Sequence, residues 1–232
     1  MYEHFIHVLI MYLCFIYGGV NHENEFIKER GTLHTYLVVD WNGTVMSDVE
    51  RAVLATNEVL KDYDLAPLNV LAFRESFTLP MSEWLTDLGV PEEFLDTAEA
   101  KWNEGMQNPA PMREGAADLI RELKNSGTTL GVVTAANQRS LDFDIEAAEL
   151  QGVFDVLRSS AANKAQSLSE LRKEKCRYVY VGDTTYDVLS ARSAGYETVA
   201  ISGGYQSNAR LRTASPDHFA YNFEDLRSIV LG

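Results

Sequence analysis

Short apolar runs with strand character alternate with helical stretches from residue 36 to the carboxyl end of the chain. Four such runs, each bounded by Gly, Asp or Thr, lie at 36–39, 129–133, 178–181 and 198–201. The helical stretches between them are 113–125, 138–150, 164–173 and 186–194. Strands that alternate with helices at these lengths predict a parallel sheet with helices on both faces. The expected fold class is therefore α/β, with a Rossmann-like parallel sheet as its core.

Glycines indicate where three of these helices end. A glycine just past a helix can take the left-handed conformation that closes the last turn. Gly127, Gly152 and Gly195 stand at such positions. We therefore expect the helix that begins at Gln138 to continue to Leu150.

Residues 46–111 interrupt the alternation directly after the first strand and its turn. Helical patterns lie at about 48–62, 68–75, 81–88 and 92–107, separated by prolines, and no β-rich run occurs among them. The segment therefore predicts an inserted α-helical cap. The predicted domains are an amino-terminal extension (1–35), an α/β core (36–45 and 112–232) and the helical insertion (46–111).

The first 35 residues differ in composition from the rest of the chain. They hold four of the five histidines and ten consecutive apolar residues from Val8 to Tyr17. This run is shorter than the roughly 20 residues that cross a bilayer, and Glu3 and His4 stand where a secretory signal has basic residues. We therefore expect no membrane partner and a cytoplasmic location, with export or anchoring by this segment as the alternative.

Charge and cysteine content exclude further classes. The chain has 20 basic and 34 acidic residues and a net charge of −14. Nucleic acid is not an expected partner, because affinity for a phosphate backbone comes mainly from Lys and Arg. Cys14 and Cys176 form neither a C-x-x-C pair nor a zinc spacing, so a reducing compartment is the simpler interpretation. The oligomeric state stays open.

Residues that follow the predicted strands are the candidates for chemistry, because ligands of open parallel sheets lie beyond the carboxyl ends of the strands. Asp40 follows the first strand and precedes Gly43, so a turn would present its carboxylate beside backbone N–H groups, which suits attack on phosphorus. The alternative is a plain turn cap. Thr134 follows the second strand and enters a helix with Ala135, which suits phosphate binding or simple N-capping.

Two further acids and a lysine extend this pattern. Asp183 and Asp187 follow the third predicted strand at i and i+4, where they could share Mg²⁺ or serve as helix caps. Lys164 begins the preceding helix and by itself would be an ordinary exposed lysine. Asp142 and Asp144 lie in the middle of a helix and face different ways, so we expect both on the solvated surface.

In their order and strand-end placement, these motifs resemble those of the haloacid dehalogenase superfamily, and most of all its phosphoglycolate phosphatase-like branch with a small α-helical cap. The resemblance covers nearly all of the chain beyond the amino-terminal extension. It implies that Asp40 is the nucleophile, Thr134 the second-motif hydroxyl and Lys164 the third-motif lysine. Asp183 and Asp187 match the fourth-motif acids. The implied function is a phosphatase that hydrolyses a small phosphorylated metabolite through an aspartyl phosphate.

The resemblance also implies a magnesium site and a phosphate site. The Mg²⁺ ligands would be the Asp40 carboxylate, the Asn42 backbone carbonyl and Asp183, with Asp187 beside them. The groups that hold the substrate phosphate would be Gly43, Thr134, Ala135 and Lys164. The cap residues that could influence specificity, with helix packing as the alternative, are Arg74, Phe77 and Thr78.

One residue departs from the family's pattern. Phosphatases of this family usually have an aspartate two residues after the nucleophile, which protonates the leaving oxygen and then activates water; here this residue is Asn42. An amide cannot transfer a proton at neutral pH, so a factor of about 10² to 10⁴ in rate could be lost. We therefore predict slow turnover of alkyl phosphates, a preference for aryl or acyl phosphates, and faster alkyl-phosphate hydrolysis in the Asn42→Asp variant.

Two alternatives to a phosphatase stay open. One is a different hydrolysis on the same fold. Dehalogenase relatives do not need the cation-binding acids, which are present here, and carbon–phosphorus hydrolysis uses a cap lysine, which the loop at 77–83 lacks. The other is a catalytically impaired binding or regulatory protein, which the Asn42 substitution suggests. Fold alone does not decide among these functions.

Overall fold

The computed structural model describes residues 34–173 and 175–232 of the chain. The apolar run from Val8 to Tyr17, and with it the predictions about export and membrane anchoring, lies outside these residues. In the described ranges, no helix has both the length and the apolar character needed to span a bilayer.

Six strands occur in the described residues: β1 His34–Val39, β2 Thr129–Val133, β3 Val156–Arg158, β4 Cys176–Gly182, β5 Glu197–Ile201 and β6 His218–Ala220. They form one parallel sheet in the order β3-β2-β1-β4-β5-β6. The central strand β1 lies between β2 and β4, with Val39 aligned with Val132 on one side and Val181 on the other. This sheet confirms the predicted fold class. β3 and β6 were not predicted, because three residues are too few to show a strand period.

Helices cover both faces of the sheet, as the sequence predicted. Their bounds are α1 Val49–Asp62, α2 Val70–Ser76, α3 Met81–Asp87, α4 Leu95–Gly105, α5 Ala116–Asn125, α6 Gln138–Ala147, α7 Lys164–Leu171, α8 Thr185–Ser193, α9 Asn208–Thr213 and α10 Phe223–Leu231, with a 3₁₀ turn at Glu92–Phe94. Alternate residues of a strand point to opposite faces. Leu37 and Val39 therefore pack with α5, α6 and α10, whereas Tyr36 and Val38 pack with α7 and α8.

One of the three predicted helix ends is wrong. Glycines with φ of +85° and +74° follow α5 and α8 as expected. The helix α6, however, ends at Ala147 rather than at Leu150. Glu149 takes the left-handed conformation there, with φ of +54°, so the chain turns before it reaches Gly152. The early turn brings Leu150 into the apolar cluster beneath the sheet, where it is fully buried, and this burial offsets the cost of a left-handed residue with a side chain.

The helices α1 to α4 of the insertion pack around an apolar cluster of their own. Trp84 and Trp102 are among its members, and Tyr205 joins it from the loop after β5. The two segments that connect the insertion to the sheet run side by side, with an antiparallel bridge between Met46 and Met112. The insertion thus lies against the carboxyl edge of the sheet, where its side chains and the strand-end residues line one cavity.

Asp144 is buried, which contradicts its predicted place on the solvated surface. Only 1% of it is exposed, and its carboxylate accepts hydrogen bonds from Arg51 at 2.7 and 2.9 Å and from Trp41 Nε1 at 3.1 Å. Asp142, on the opposite side of α6, is exposed as expected. Residues at i and i+2 of a helix face different ways, so the spacing correctly predicts that the two acids lie on different sides of α6. The cation that pairs with Asp144 comes from the insertion, 93 residues away, and no local pattern reveals it.

Candidate active site

Three polar residues follow neighbouring strands and meet at the carboxyl edge of the sheet. Asp40 follows β1, Thr134 follows β2 and Asp183 follows β4. All three are buried, and all three line the same cavity. The parallel arrangement explains this convergence, because it brings the carboxyl ends of adjacent strands to one edge.

Lys164 joins two of the acidic residues. Its Nζ donates to Asp40 Oδ1 at 2.8 Å and to Asp187 Oδ1 at 2.5 Å, and 1% of the residue is exposed. Burial lowers the pKa of a lysine, but here the attraction of Asp187 and Asp40 outweighs burial and raises the pKa of Lys164 above its usual value. The first residue of α7 is therefore a permanently charged ammonium group within the cluster. Asn163 sets the start of this helix by accepting from the Gln166 N–H at 3.0 Å.

Asp187 takes part in the capping box of α8, whose N-cap is Thr184, and also faces the cluster. Its Oδ2 accepts from the Thr184 N–H at 3.0 Å and from the Thr184 hydroxyl at 2.6 Å, which completes a capping box. Its Oδ1 accepts from Lys164 and from the Tyr180 hydroxyl at 3.2 Å. Asp187 can therefore serve both the helix cap and the cluster, because Oδ2 faces the cap and Oδ1 faces the cluster.

Asp183 is held by the turn after β1 and by the loop after β5. Its Oδ1 accepts from the Thr44 hydroxyl at 2.8 Å, and its Oδ2 accepts from the Tyr205 N–H at 2.5 Å. Gly43 permits this close approach, because its φ is +71° and a Cβ on it would lie 2.2 Å from Asp183 Oδ2. Burial, followed by repulsion from the neighbouring carboxylates, raises the pKa of Asp183 well above its usual value.

The cluster fits a divalent cation. One carboxylate oxygen from each of Asp40, Asp183 and Asp187 lies within 4.8 Å of the others, and Mg²⁺ prefers such oxygen ligands. If all three carboxylates are ionised, they and the Lys164 ammonium leave two negative charges in a buried site, which is costly unless a cation balances them. Burial also raises the pKa of Asp40 to about 6, against the attraction of Lys164. The backbone carbonyl oxygen of Asn42 accepts no hydrogen bond from a described residue and is available as a further ligand of the cation.

Three of the four groups expected to bind the substrate phosphate line the cavity: Thr134, Ala135 and Lys164. The Ala135 N–H donates to no described residue. Gly43 differs from the expectation, because its N–H donates to Asp48 Oδ1 at 2.7 Å and it does not line the cavity. The structure therefore does not support a phosphate contact by Gly43, whose importance lies in the close approach to Asp183.

Asn42 is held in place by a buried acid. Its Nδ2 donates to Asp48 Oδ2 at 2.7 Å, and because an ionised carboxylate can only accept, this contact fixes which end of the amide faces Asp48. Asp48 also accepts from Arg51 at 2.8 Å and from the Tyr205 hydroxyl at 3.1 Å. Burial raises the pKa of Asp48, and the attraction of Arg51 opposes that shift. One side-chain N–H of Asn42 therefore donates to Asp48, and the side-chain carbonyl oxygen of Asn42 remains available as a hydrogen-bond acceptor.

The insertion covers the cavity, which has a volume of about 50 Å³. The insertion's side of it is formed by six side chains: Phe77, Leu79, Met81, Glu99, Trp102 and Asn103. Of the three cap residues expected to influence specificity, Phe77 lines the cavity, whereas Arg74 and Thr78 do not. Arg74 instead donates to the carbonyls of Gly204 and Gly203 at 3.0 and 2.9 Å, which ties α2 to the loop after β5.

Glu99, Trp102 and Asn103 are cavity residues that the sequence reasoning missed. They lie at i, i+3 and i+4 of α4 and so share one face of that helix. The spacing was visible in the sequence, but the face that turns toward the cavity was not. Packing within the insertion determines which face turns toward the cavity. Trp102 Nε1, for example, donates to the Thr56 hydroxyl at 3.1 Å.

Comparisons with known proteins identify the family of the chain. Residues 37–201 match the family model described as haloacid dehalogenase-like hydrolase. The chain is 23% identical over 208 residues to a phosphoglycolate phosphatase from Synechococcus elongatus, covering 84% of this chain and 96% of that protein. It is 24% identical over 209 residues to the pyrophosphatase PpaX from Bacillus cereus, covering 81% of this chain and 95% of that protein.

Solved structures show the same fold. A "predicted phosphatase" from Clostridium acetobutylicum superposes with a TM-score of 0.75 at 18% identity, covering 86% of this chain and 99% of the other. A haloacid dehalogenase-like family protein from Streptococcus pneumoniae gives a TM-score of 0.70 at 21% identity, covering 84% and 98%. The family model spans more than half of the chain, from β1 to the end of β5. The chain therefore belongs to the haloacid dehalogenase-like hydrolases.

Proposed function

We propose that this chain is a Mg²⁺-dependent phosphatase that hydrolyses a small phosphorylated metabolite through an aspartyl phosphate on Asp40. The observation that carries the proposal is the buried cluster of Asp40, Lys164, Asp183 and Asp187 at the carboxyl edge of the sheet. The names of the relatives, phosphoglycolate phosphatase and pyrophosphatase, support a phosphate ester or anhydride as the substrate. The proposal includes a cytoplasmic location, because the cysteine pattern suggests a reducing compartment.

The residues of the cluster divide the work of phosphoryl transfer. Asp40 attacks phosphorus, and the Lys164 ammonium and Thr134 hydroxyl bind the phosphoryl oxygens as charge develops on them. The Ala135 N–H is a further donor to these oxygens. Asp187 positions Lys164 through the contact at 2.5 Å. Bound Mg²⁺, held by the carboxylates and the carbonyl named above, would supply additional neutralisation of the phosphoryl charge.

The insertion acts as a cap in this proposal. Its helices have their own apolar cluster, and the bridge at its two connecting segments gives it a short attachment to the core. The cavity that it covers is small, so closure excludes bulk water while the phosphoryl group passes to Asp40. Opening of the cap would then admit the water that hydrolyses the aspartyl phosphate.

Protonation of the leaving group limits this chemistry. Asn42 stands where the family's acid usually stands, and its Nδ2 already donates to Asp48. An amide does not ionise near neutral pH, so Asn42 cannot deliver a proton to the leaving oxygen. Aryl and acyl phosphates, whose leaving groups need little protonation, should be hydrolysed faster than simple alkyl phosphates.

A hydrolysis assay tests the proposal directly. The wild type should hydrolyse p-nitrophenyl phosphate and acetyl phosphate when Mg²⁺ is present and should lose this activity when EDTA is added. The Asp40→Asn variant should show only background hydrolysis, because an amide is a poor nucleophile. Asp142→Asn is the matched control: it removes an exposed acid of the core and should keep the wild-type rate.

Two outcomes would count against the proposal. Hydrolysis that survives in folded Asp40→Asn would show that Asp40 is not the nucleophile. A folded wild type that hydrolyses neither compound, and that beryllofluoride with Mg²⁺ does not stabilise against heat, would favour a binding or regulatory role instead.

A further inference from the structure

The insertion's side of the cavity carries one ionisable side chain among the described residues, and it is an acid. Glu99 lies there on α4 beside Trp102 and Asn103. Within the described part of the chain, the Glu99 side chain makes no hydrogen bond or ion pair. Burial and the nearby Asp96 raise its pKa, as expected of a carboxylate without a positive partner. Glu99 is thus available to a ligand.

The basic residues of the insertion do not line the cavity. Arg51 is paired with two buried acids, and Arg74 donates to backbone carbonyls of the core. Lys101 pairs with an acid of α1, and Lys61 is exposed on the same helix. Among the described residues that line the cavity, Lys164 is the one cation, and two carboxylates already bind it.

A substrate with a second negative group would therefore meet the wrong charge. Phosphoglycolate and pyrophosphate, the compounds in the names of two relatives, each carry a negative group beyond the phosphoryl group that is transferred. In this cavity such a group would face Glu99. A positive group would instead find the Glu99 carboxylate, with Trp102 and the side-chain amides of Asn42 and Asn103 among the other lining groups.

A positive group would also compensate for the missing acid. Because Asn42 cannot protonate the leaving oxygen, negative charge must develop on that oxygen in the transition state. An ammonium group close to it in the substrate stabilises this charge by electrostatic attraction, whereas a neutral alcohol offers no such help. The charge of the cavity wall and the identity of residue 42 thus favour the same kind of substrate.

We infer that the substrate is a phosphate monoester whose alcohol part carries a protonated amine, and that Glu99 binds this amine. The inference rests on the proposed phosphatase function and specifies its substrate class. Glu99 and Asn103 also line an adjoining pocket of about 360 Å³. The rest of a larger amine would extend from the catalytic cavity into this pocket.

Three phosphate esters of equal chain length separate the possibilities: phosphoethanolamine with an ammonium group, 2-hydroxyethyl phosphate with a neutral group and phosphoglycolate with a carboxylate. Their kcat/KM values with Mg²⁺ should fall in that order. A charge-assisted hydrogen bond to Glu99 should favour phosphoethanolamine over 2-hydroxyethyl phosphate by about ten- to a hundredfold. Equal values, or a preference for phosphoglycolate, would overturn the inference.

Variants of α4 locate the preference. Glu99→Gln should reduce the ratio of kcat/KM for phosphoethanolamine to that for 2-hydroxyethyl phosphate by about tenfold or more, and Glu99→Lys should raise the relative rate on phosphoglycolate. The ratio within one variant cancels any loss of folded enzyme. Glu104→Gln is the matched control, an exposed acid of the same helix that does not line the cavity, and its ratio should equal that of the wild type.

Failure of the inference can be distinguished from failure of the proposed function. If p-nitrophenyl phosphate is hydrolysed but the ratio is the same in wild type and Glu99→Gln, the amine assignment is wrong and the phosphatase function stands. If nothing is hydrolysed, the thermal midpoint with Mg²⁺ and each ester decides: greater stabilisation by phosphoethanolamine, lost in Glu99→Gln, supports the amine site, and equal midpoints reject it.

Discussion

Replacing Asp144 with alanine should destabilise the protein far more than replacing Asp142, although both acids lie on α6. Asp144 accepts two charge-assisted hydrogen bonds from Arg51 and one hydrogen bond from Trp41 Nε1. Its removal would leave the Arg51 guanidinium buried with Asp48 as its remaining charge partner. It would also leave the indole N–H of Trp41 buried without an acceptor.

The size of the effect follows from these lost partners. Removing one member of a buried ion pair costs about 3–5 kcal/mol, because the other charge stays buried. Asp48, at 2.8 Å from Arg51, favours the lower part of this range. An unsatisfied buried N–H adds about 1–3 kcal/mol, so we expect a loss of about 4 kcal/mol in the free energy of unfolding. Domains usually have a free energy of unfolding of about 5–15 kcal/mol. The variant should therefore still fold, but unfold at a clearly lower urea concentration.

Urea unfolding followed by tryptophan fluorescence and far-ultraviolet circular dichroism measures this loss. Asp142→Ala, which removes an exposed acid bonded to Gln138 at 2.7 Å, should lie within about 0.5 kcal/mol of the wild type.

The reasoning would be refuted if Asp144→Ala lowered the free energy of unfolding by less than about 1 kcal/mol while its dependence on urea concentration stayed unchanged. In that case the network around Arg51 would contribute little, and the burial of Asp144 would need another explanation.

Three further predictions concern single residues. In Gly43→Ala the new methyl group would lie 2.2 Å from Asp183 Oδ2, so Mg²⁺ affinity measured by titration calorimetry should fall about tenfold or more, and equal affinity in a folded variant would contradict this. In Asn42→Asp, kcat/KM for 2-hydroxyethyl phosphate should rise by about 10²; an unchanged or lower value in a folded, Mg²⁺-binding variant would be the contrary result. Arg177 lowers the pKa of Glu197, so Glu197 stabilises the fold above its unfolded pKa of about 4.3 and loses this effect as pH falls through the folded value. The difference in thermal midpoint between wild type and Glu197→Gln should therefore shrink below about pH 5, and a constant difference down to pH 3 would refute it.

The sheet and the strand-end residues were predictable because both depend on local patterns. Apolar runs of four or five residues mark β1, β2, β4 and β5, and a parallel sheet brings the residues after them to one edge. Asp40, Thr134 and Asp183 could therefore be expected together before their distances were known. Lys164 was different: nothing in its local sequence distinguishes it from an exposed lysine, and the family resemblance alone suggested its importance.

Contacts between distant segments account for what the sequence did not show. Asp144 is buried because Arg51 of the insertion reaches it, and Glu149 ends α6 early because the following leucine must be buried. The insertion's side of the cavity was hidden for the same reason. Which face of α4 turns toward Asp40 depends on packing among four helices, so Glu99 looked like any other acid of an amphipathic helix.

Asn42 and Asp48 are best understood as a pair. A carboxylate at position 42 would face Asp48 across the distance of 2.7 Å that now separates amide nitrogen and acid oxygen, and two acids so close cannot both be ionised. One of them would hold a proton at neutral pH, which is the state that a general acid needs. The amide forgoes that proton and instead donates to Asp48, which also accepts from Gly43 and Arg51. The contact between Asn42 and Asp48 thus needs no shared proton, and under the proposed function the leaving group would have to be stabilised by the substrate itself.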